Sequence, residues 1–176
     1  MTNAVYLARH ASPALALTGI RYDVVPGPPL SEHGRGEAAL LSEYLRTVGI
    51  RTIYASPFAR TLQTAAIVAA ATAIPVLSEP SIGEWHIDER ARDVVARITP
   101  VLARVVDAPA LSGPVCLLSH GGPIGVMLRK LGMPREVVDA HCARHGGVTP
   151  MPPAGVWRVV TATSSVPAQF DLVFVP

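Results

Sequence analysis

The sequence predicts a three-layer α/β/α sandwich built on a mostly parallel sheet. Two observations predict it. Short apolar runs suited to buried strands alternate with longer stretches of helical periodicity, the pattern that builds parallel sheets covered by helices. Several of the runs also end abruptly in polar residues: Val5-Tyr6-Leu7-Ala8 delivers Arg9-His10, and Val115-Cys116-Leu117-Leu118 delivers Ser119-His120-Gly121-Gly122. In open α/β sheets, ligands bind beyond the carboxyl ends of the strands, so these endings are candidate site residues.

The elements follow in order. The stretch from Ser12 to Pro29 carries four prolines and two glycines and reads as a loop bordering the Arg9-His10 strand end, with Arg21 and Tyr22 as the members able to reach inward. Ser31 is a good N-cap for a helix with Ala38, Leu41, Leu45 and Val48 on one face, closed by Gly49. His33 and Arg35, in its first turn, read as solvent-facing. Arg51 to Ala55 is a second strand. Ser56 and Pro57 read as the N-cap and first position of a second helix, which runs to about Ala73 and carries Arg60 in its first turn. A cation there opposes the helix dipole, so Arg60 is expected to lean over the strand end toward an anion. Ile74 to Leu77 is a third strand, followed by a loop holding Glu79 and Glu84. A helix is expected from Ile87, interrupted at Pro100 and restarted with Thr99 as a cap. The fourth strand leads into a helix starting near Pro123. Arg135 to Arg144 is a further helix, and Val156–Val160 with 170–175 form two late strands, an edge hairpin.

Bulk properties narrow the function. The chain has 176 residues, 49% hydrophobic and 16% charged, the profile of one globular domain, here taken as 1–176. A formal net charge of +2 and the lack of any Lys/Arg block argue against nucleic acid as a partner. The uncharged, Ala-rich stretch Thr61 to Ser78 is broken by Pro75 and is no membrane span. No basic segment precedes the first strand, so no secretory signal is expected. Cys116 and Cys142 make no disulfide framework, which points to a reducing, cytoplasmic setting. His141, Cys142 and His145 have the spacing of a metal half-site but lack further ligands.

Arg9, His10, Arg60 and His120 share a chemistry. Two guanidinium groups offer fork-shaped donors to a phosphate or carboxylate. A histidine beside them is driven toward its neutral, nucleophilic form. Phosphoryl transfer to such an imidazole also needs an acid for the leaving oxygen, and Glu84 is placed to supply it.

The three motifs Arg9-His10-Ala11, Ser56-Pro57 with Arg60-Thr61-Leu62-Gln63-Thr64-Ala65, and Ser119-His120-Gly121 strongly resemble the histidine phosphatase superfamily, in the branch that includes cofactor-dependent phosphoglycerate mutases. The resemblance covers Val5 to about Leu131. It implies a mixed sheet with one antiparallel strand. It implies transient phosphorylation of His10 and a phosphate pocket of Arg9, His10, Arg60 and His120. It implies an acid two residues past an apolar one: Ile82-Gly83-Glu84 fits, and Glu79 after Leu77 is the rival, at a shorter spacing from Arg60 than the family shows. No metal or organic cofactor is implied. Ala11 stands where the first motif ordinarily has Gly, and Trp85-His86-Ile87-Asp88 replaces the usual continuation after the acid. The short stretch between Glu84 and His120 leaves little chain for a lid. The expected activity is hydrolysis of a phosphomonoester, on a phosphorylated small molecule or a phosphoprotein. The alternatives are a phosphoglycerate-type mutase and an inactive phospho-ligand-binding module.

Overall fold

The computed structural model describes residues 4–16, 19–107, 113–162 and 167–176. Chain order is β1 (Ala4–Arg9), α1 (Glu32–Thr47), β2 (Thr52–Ala55), α2 (Ala59–Thr72), β3 (Val76–Ser78), a 3-10 turn (Pro80–Ile82), α3 (Ala91–Val106), β4 (Val115–Ser119), α4 (Gly121–Lys130), α5 (Arg135–Arg144), β5 (Val156–Val160) and β6 (Gln169–Phe174). The six strands form one sheet in the order β3-β2-β4-β1-β5-β6. The pairings β1–β4, β2–β4 and β2–β3 are parallel; β5 pairs antiparallel with both β1 and β6. Only β5 runs against the other five, so the sheet is mostly parallel and mixed, as expected.

The pleat sorts side chains into two cores. From β1, Val5 and Leu7 face one layer while Tyr6 and Ala8 face the other; from β4, Leu117 parts from Cys116 and Leu118 in the same way. Helices α3, α4 and α5 cover the first face through Val94, Ile98, Ile124, Met127 and Val138. Helices α1 and α2 cover the second through Ala38, Leu41, Leu45, Ala65 and Val68. Leu7 and Leu117 are fully buried, each worth about 2 kcal/mol in water removed from apolar surface.

Local rules explain most boundaries. Ser31 caps α1 and accepts from the Gly34 amide, as the sequence suggests, and Gly49 follows the helix with a φ of 71°. Three expectations are corrected. Helix α2 starts at Ala59 with Phe58 at the N-cap, because the buried Ser56 hydroxyl is taken by His120. Helix α3 starts at Ala91, not Ile87, which is exposed in a turn, and it runs through Pro100 without a break. The proline removes one backbone donor, yet the buried stripe Val94, Ile98, Val101, Leu102 and Val105 holds both halves on the sheet. The Thr99 hydroxyl donates back to the Val95 carbonyl rather than capping a new segment. Helix α4 starts at Gly121, two residues before Pro123, with His120 as its N-cap. The expected turn at 108–114 and the connection between β5 and β6 fall partly outside the described residues.

Candidate active site

Strands β1, β2 and β4 end side by side, and their ends bring the polar residues together. Arg9 closes β1 and His10 follows it; Ser56 follows β2 and leads into Arg60; His120 follows β4. His10, Ser56, Arg60 and His120 are fully buried.

Arg60 is the hub. Its Nε donates to His10 Nε2 at 3.2 Å, its Nη2 to Glu84 Oε2 at 3.1 Å and to His120 Nδ1 at 3.1 Å, and its Nη1 to the Tyr22 carbonyl at 3.2 Å. A buried guanidinium with so many acceptors is compensated for leaving water. Gly27, with a φ of 64°, sits where an added Cβ would lie 2.7 Å from Arg60 Nη1, so the loop can close over the arginine only with glycine there.

The hydrogen bonds fix both imidazoles. His10 Nδ1 lies 2.8 Å from the Ala11 carbonyl, which can only accept, so the proton sits on Nδ1. The Nε2 lone pair then faces Arg60. His120 Nδ1 accepts from Arg60, which leaves its Nε2–H to donate to Ser56 Oγ at 2.7 Å. Burial, then the Arg60 and Arg9 charges, push His10 well below the usual histidine range. Burial, His10 and the two arginines do the same to His120. The ring centroids are 5.1 Å apart.

Glu84 faces this pair, with Oε2 3.4 Å from His120 Nδ1. Burial raises its carboxyl above the ordinary range, against the opposing pull of the Trp85 amide and Arg60. Glu79 points elsewhere. It accepts from Ser81 and pairs with Arg104 on the outer side of the loop, and its carboxyl is lowered.

Arg9 comes from the next strand over. Its Nη1 donates to Thr149 Oγ1 at 3.1 Å and to the Met151 carbonyl at 3.0 Å. Arg9, Tyr22, Glu84, Trp85, Gly122 and Thr149 line a cleft of about 450 Å³. At Gly121 an added Cβ would lie 2.2 Å from the Thr149 methyl, so that glycine makes room for the residue that holds Arg9.

Residues 5–91 match the family model of the histidine phosphatase superfamily (branch 1). A solved structure, a mycobacterial glucosyl-3-phosphoglycerate phosphatase complexed with VO3, superposes at a TM-score of 0.78 over 99% of this chain and 100% of that one. By the match over residues 5–91 the chain is similar to the histidine phosphatase superfamily, and by the superposition it shares that fold. That structure shares 20% identity with it. A putative phosphohistidine phosphatase from Agrobacterium tumefaciens shares 19%, at a TM-score of 0.68 over 100% of this chain and 99% of that one. A probable phosphoglycerate mutase of Klebsiella pneumoniae is 28% identical over 164 residues, 74% of this chain and 75% of that protein. The 55 kDa subunit of Saccharomyces cerevisiae transcription factor tau is 37% identical over 101 residues, 51% of this chain. The match spans only 22% of that subunit's length.

Within this histidine phosphatase fold, the residues around the site include some that the sequence singled out and some, such as Thr149 and Arg97, that it did not. Tyr22 does reach inward: its ring covers Arg60 with the guanidinium carbon 4.0 Å from the centroid, and its hydroxyl lies 3.4 Å from His10 Nε2. Its partner Arg21 stays outside, paired with Asp23 at 2.8 Å. His86 lies outside the cleft, 3.8 Å from Asp23. Thr149 and Ser56 hold Arg9 and His120 within the site, and Arg97 braces it from α3. Arg97 of α3 grips the Glu84 loop through the carbonyls of Ser81, Gly83 and Glu84 and through Glu89. Ser12 is bound through its amide and hydroxyl to Glu37 of α1, fixing the chain just after His10. His141 packs edge-on against Trp157 at 4.7 Å, far from any ligand set. Among the described residues, His10, Glu84 and His120 offer the one group of three donor atoms within 4.8 Å of one another. Arg60 already donates to all three.

Proposed function

We propose that the chain is a phosphomonoester hydrolase, one catalytic domain working through a phosphohistidine on His10. One observation carries the reading: His10 is held with its proton on Nδ1 and its Nε2 lone pair turned to Arg60, which also binds a glutamate whose carboxyl is raised by burial.

In the first step the Nε2 lone pair attacks phosphorus as the ester P–O bond breaks. Glu84 gives its proton to the leaving oxygen. Arg9, Arg60 and His120 stabilise the charge on the transferred oxygens, and the Ala11 carbonyl steadies the Nδ1–H as the ring gains positive charge. In the second step the Glu84 carboxylate takes a proton from water, the water oxygen attacks phosphorus, and the P–N bond breaks to restore neutral His10.

Metal independence rests on the donor set: the position between His10, Glu84 and His120 is served by the Arg60 guanidinium. The substrate is a phosphorylated small molecule or a phosphoprotein side chain. The two cysteines are unpaired, which suits a reducing cytoplasm. No helix of the described residues is long and apolar enough to cross a membrane.

The test is hydrolysis of phenyl phosphate in the presence of a chelator. Wild type turns over, His10→Ala falls to background, and wild type quenched in alkali carries acid-labile phosphate on His10. Full activity in His10→Ala overturns the mechanism. The Klebsiella relative's 28% identity over most of the chain motivates one second reading, a mutase. Phosphoryl transfer to a monophosphate acceptor that depends on a bisphosphate primer separates it from hydrolysis.

A further inference from the structure

The catalytic cleft does not end at the phosphoryl pocket. Beyond Trp85 it continues into a second hollow of about 320 Å³ between α4 and α5, and the two share Trp85, Gly122 and Val148 as walls. Its floor is Gly125 of α4 with Val138 and Cys142 of α5. Gly122, Gly125 and Arg129 stand at i, i+3 and i+7 on α4, so they lie along one helix face. An added Cβ at Gly122 would touch the Trp85 ring at 3.5 Å and approach Glu84 Oε1 at 4.0 Å, so the bare glycine keeps the passage open. The Trp85 ring is held in place by its Nε1, which donates to the Glu89 carbonyl at 3.0 Å.

The far end of this hollow carries charge. Arg129 is exposed, and its guanidinium has no hydrogen bond or ion pair among the described residues. Asp139, its neighbour at the rim, is already paired with Arg135 at 3.4 Å. The unbalanced charge at that end is therefore positive. Two turns of helix separate Gly122 from Arg129, a rise of roughly 10 Å.

We propose that this hollow is a leaving-group subsite, and that it selects elongated phosphomonoesters whose alcohol has a flat or apolar body and a second anionic group at its far end. The phosphoryl group sits at His10, the body runs along Trp85 over Gly122 and Gly125, and a carboxylate or phosphate meets Arg129. A phosphorylated three-carbon acid is too short to reach it. This assignment rests on the phosphatase reading of the cleft, and it names the substrate class that reading leaves open.

The test uses non-hydrolysable phosphonates, so it does not depend on turnover. The long probe is a biphenyl with a phosphonomethyl group at one para end and a carboxylate at the other. Its carboxamide is the neutral control, and benzylphosphonate is the short one. Calorimetry on wild type should show the biphenyl carboxamide binding more tightly than benzylphosphonate, and the carboxylate about fivefold more tightly again, the increment of one partly solvated charge pair. Arg129→Ala should erase the carboxylate increment, Arg129→Lys should keep most of it, and neither should change benzylphosphonate binding. Equal affinity of wild type for the carboxylate and carboxamide overturns the assignment. So does a biphenyl that binds no better than benzylphosphonate, or an Arg129→Ala variant that weakens the short probe equally. Failure of phenyl phosphate hydrolysis with these binding differences intact would instead reject the chemistry and keep the subsite.

Discussion

Glu84 and Tyr22 both lie close to His10 and make different demands. Glu84 is raised by burial, so it carries a proton at a pH where an exposed glutamate has lost it. The His10 and His120 pKa values are lowered, so both imidazoles stay neutral well into acid. Activity that needs neutral His10 and protonated Glu84 falls on the acid side as His10 gains a proton and on the alkaline side as Glu84 loses one. Glu84→Gln should lower kcat on phenyl phosphate about 100-fold and flatten the alkaline limb of kcat/KM. The loss should be smaller on 4-nitrophenyl phosphate, whose leaving group needs less help; this is read from parallel pH–rate profiles. Tyr22 contributes a ring over Arg60 more than a hydroxyl, since its oxygen is 3.4 Å from His10. Tyr22→Phe should stay within about threefold of wild type, whereas Tyr22→Ala should raise KM about tenfold through the lost cation–π contact, as steady-state kinetics would report. Arg9, His10 and His120 were legible in the sequence because they stand at the ends of apolar runs, and Arg60 because a cation in the first turn of a helix stands out. Tyr22 was legible only as a residue able to reach inward, because nothing local says that a loop tyrosine folds back onto an arginine of another helix.

At the scale of elements, the groups of the candidate site are held by contacts far apart in sequence. Arg97 is the clearest case: one guanidinium on α3 fixes the loop that carries Glu84. Arg97→Ala should lower both kcat and stability, and Arg97→Lys should not rescue kcat, since an ammonium lacks the planar fork that spans the three carbonyls and Glu89; urea unfolding beside kcat measures both. Gly34 plays the same part for β1. A Cβ there would lie 2.1 Å from the Ser12 carbonyl, where the chain after His10 docks on α1. Gly34→Ala should destabilise by about 2 kcal/mol through overpacking, measured by chemical denaturation. Sequence rules read α1 and β4 well because the cap of the one and the apolar run of the other are local. They misread Ser56, a good N-cap residue that tertiary structure spends on His120, and Pro100, a helix breaker that packing overrides. Thr149 and Arg9 meet across most of the chain, and no spacing rule reaches that far.

The whole molecule inherits a pH dependence from its buried centre. His10 and His120 bind protons more weakly folded than unfolded, so below about 6.5, the ordinary histidine value, the unfolded chain takes up more protons and stability falls. Above that value their contribution is complete. Glu84 acts in the opposite sense: its raised pKa favours folding in acid, and that advantage is lost as pH rises above the usual 4.5. With two histidines against one carboxyl, stability should fall from neutral pH toward pH 5. Substituting His10→Gln should flatten part of that slope in thermal melts across the range. The reversed strand β5 adds something of a different kind. The chain leaves β4 at the site end of the sheet and re-enters through β5 at the same end, where Ala8 lies opposite Val156. An even number of helices, α4 and α5, lies between, so this connection is a round trip rather than a crossing. A single helix would deliver the chain to the far edge, and Val148 and Thr149 would be lost to the cleft. Parity thus gives the fold a wall that can change in length and composition while the strands bearing His10 and His120 stay as they are.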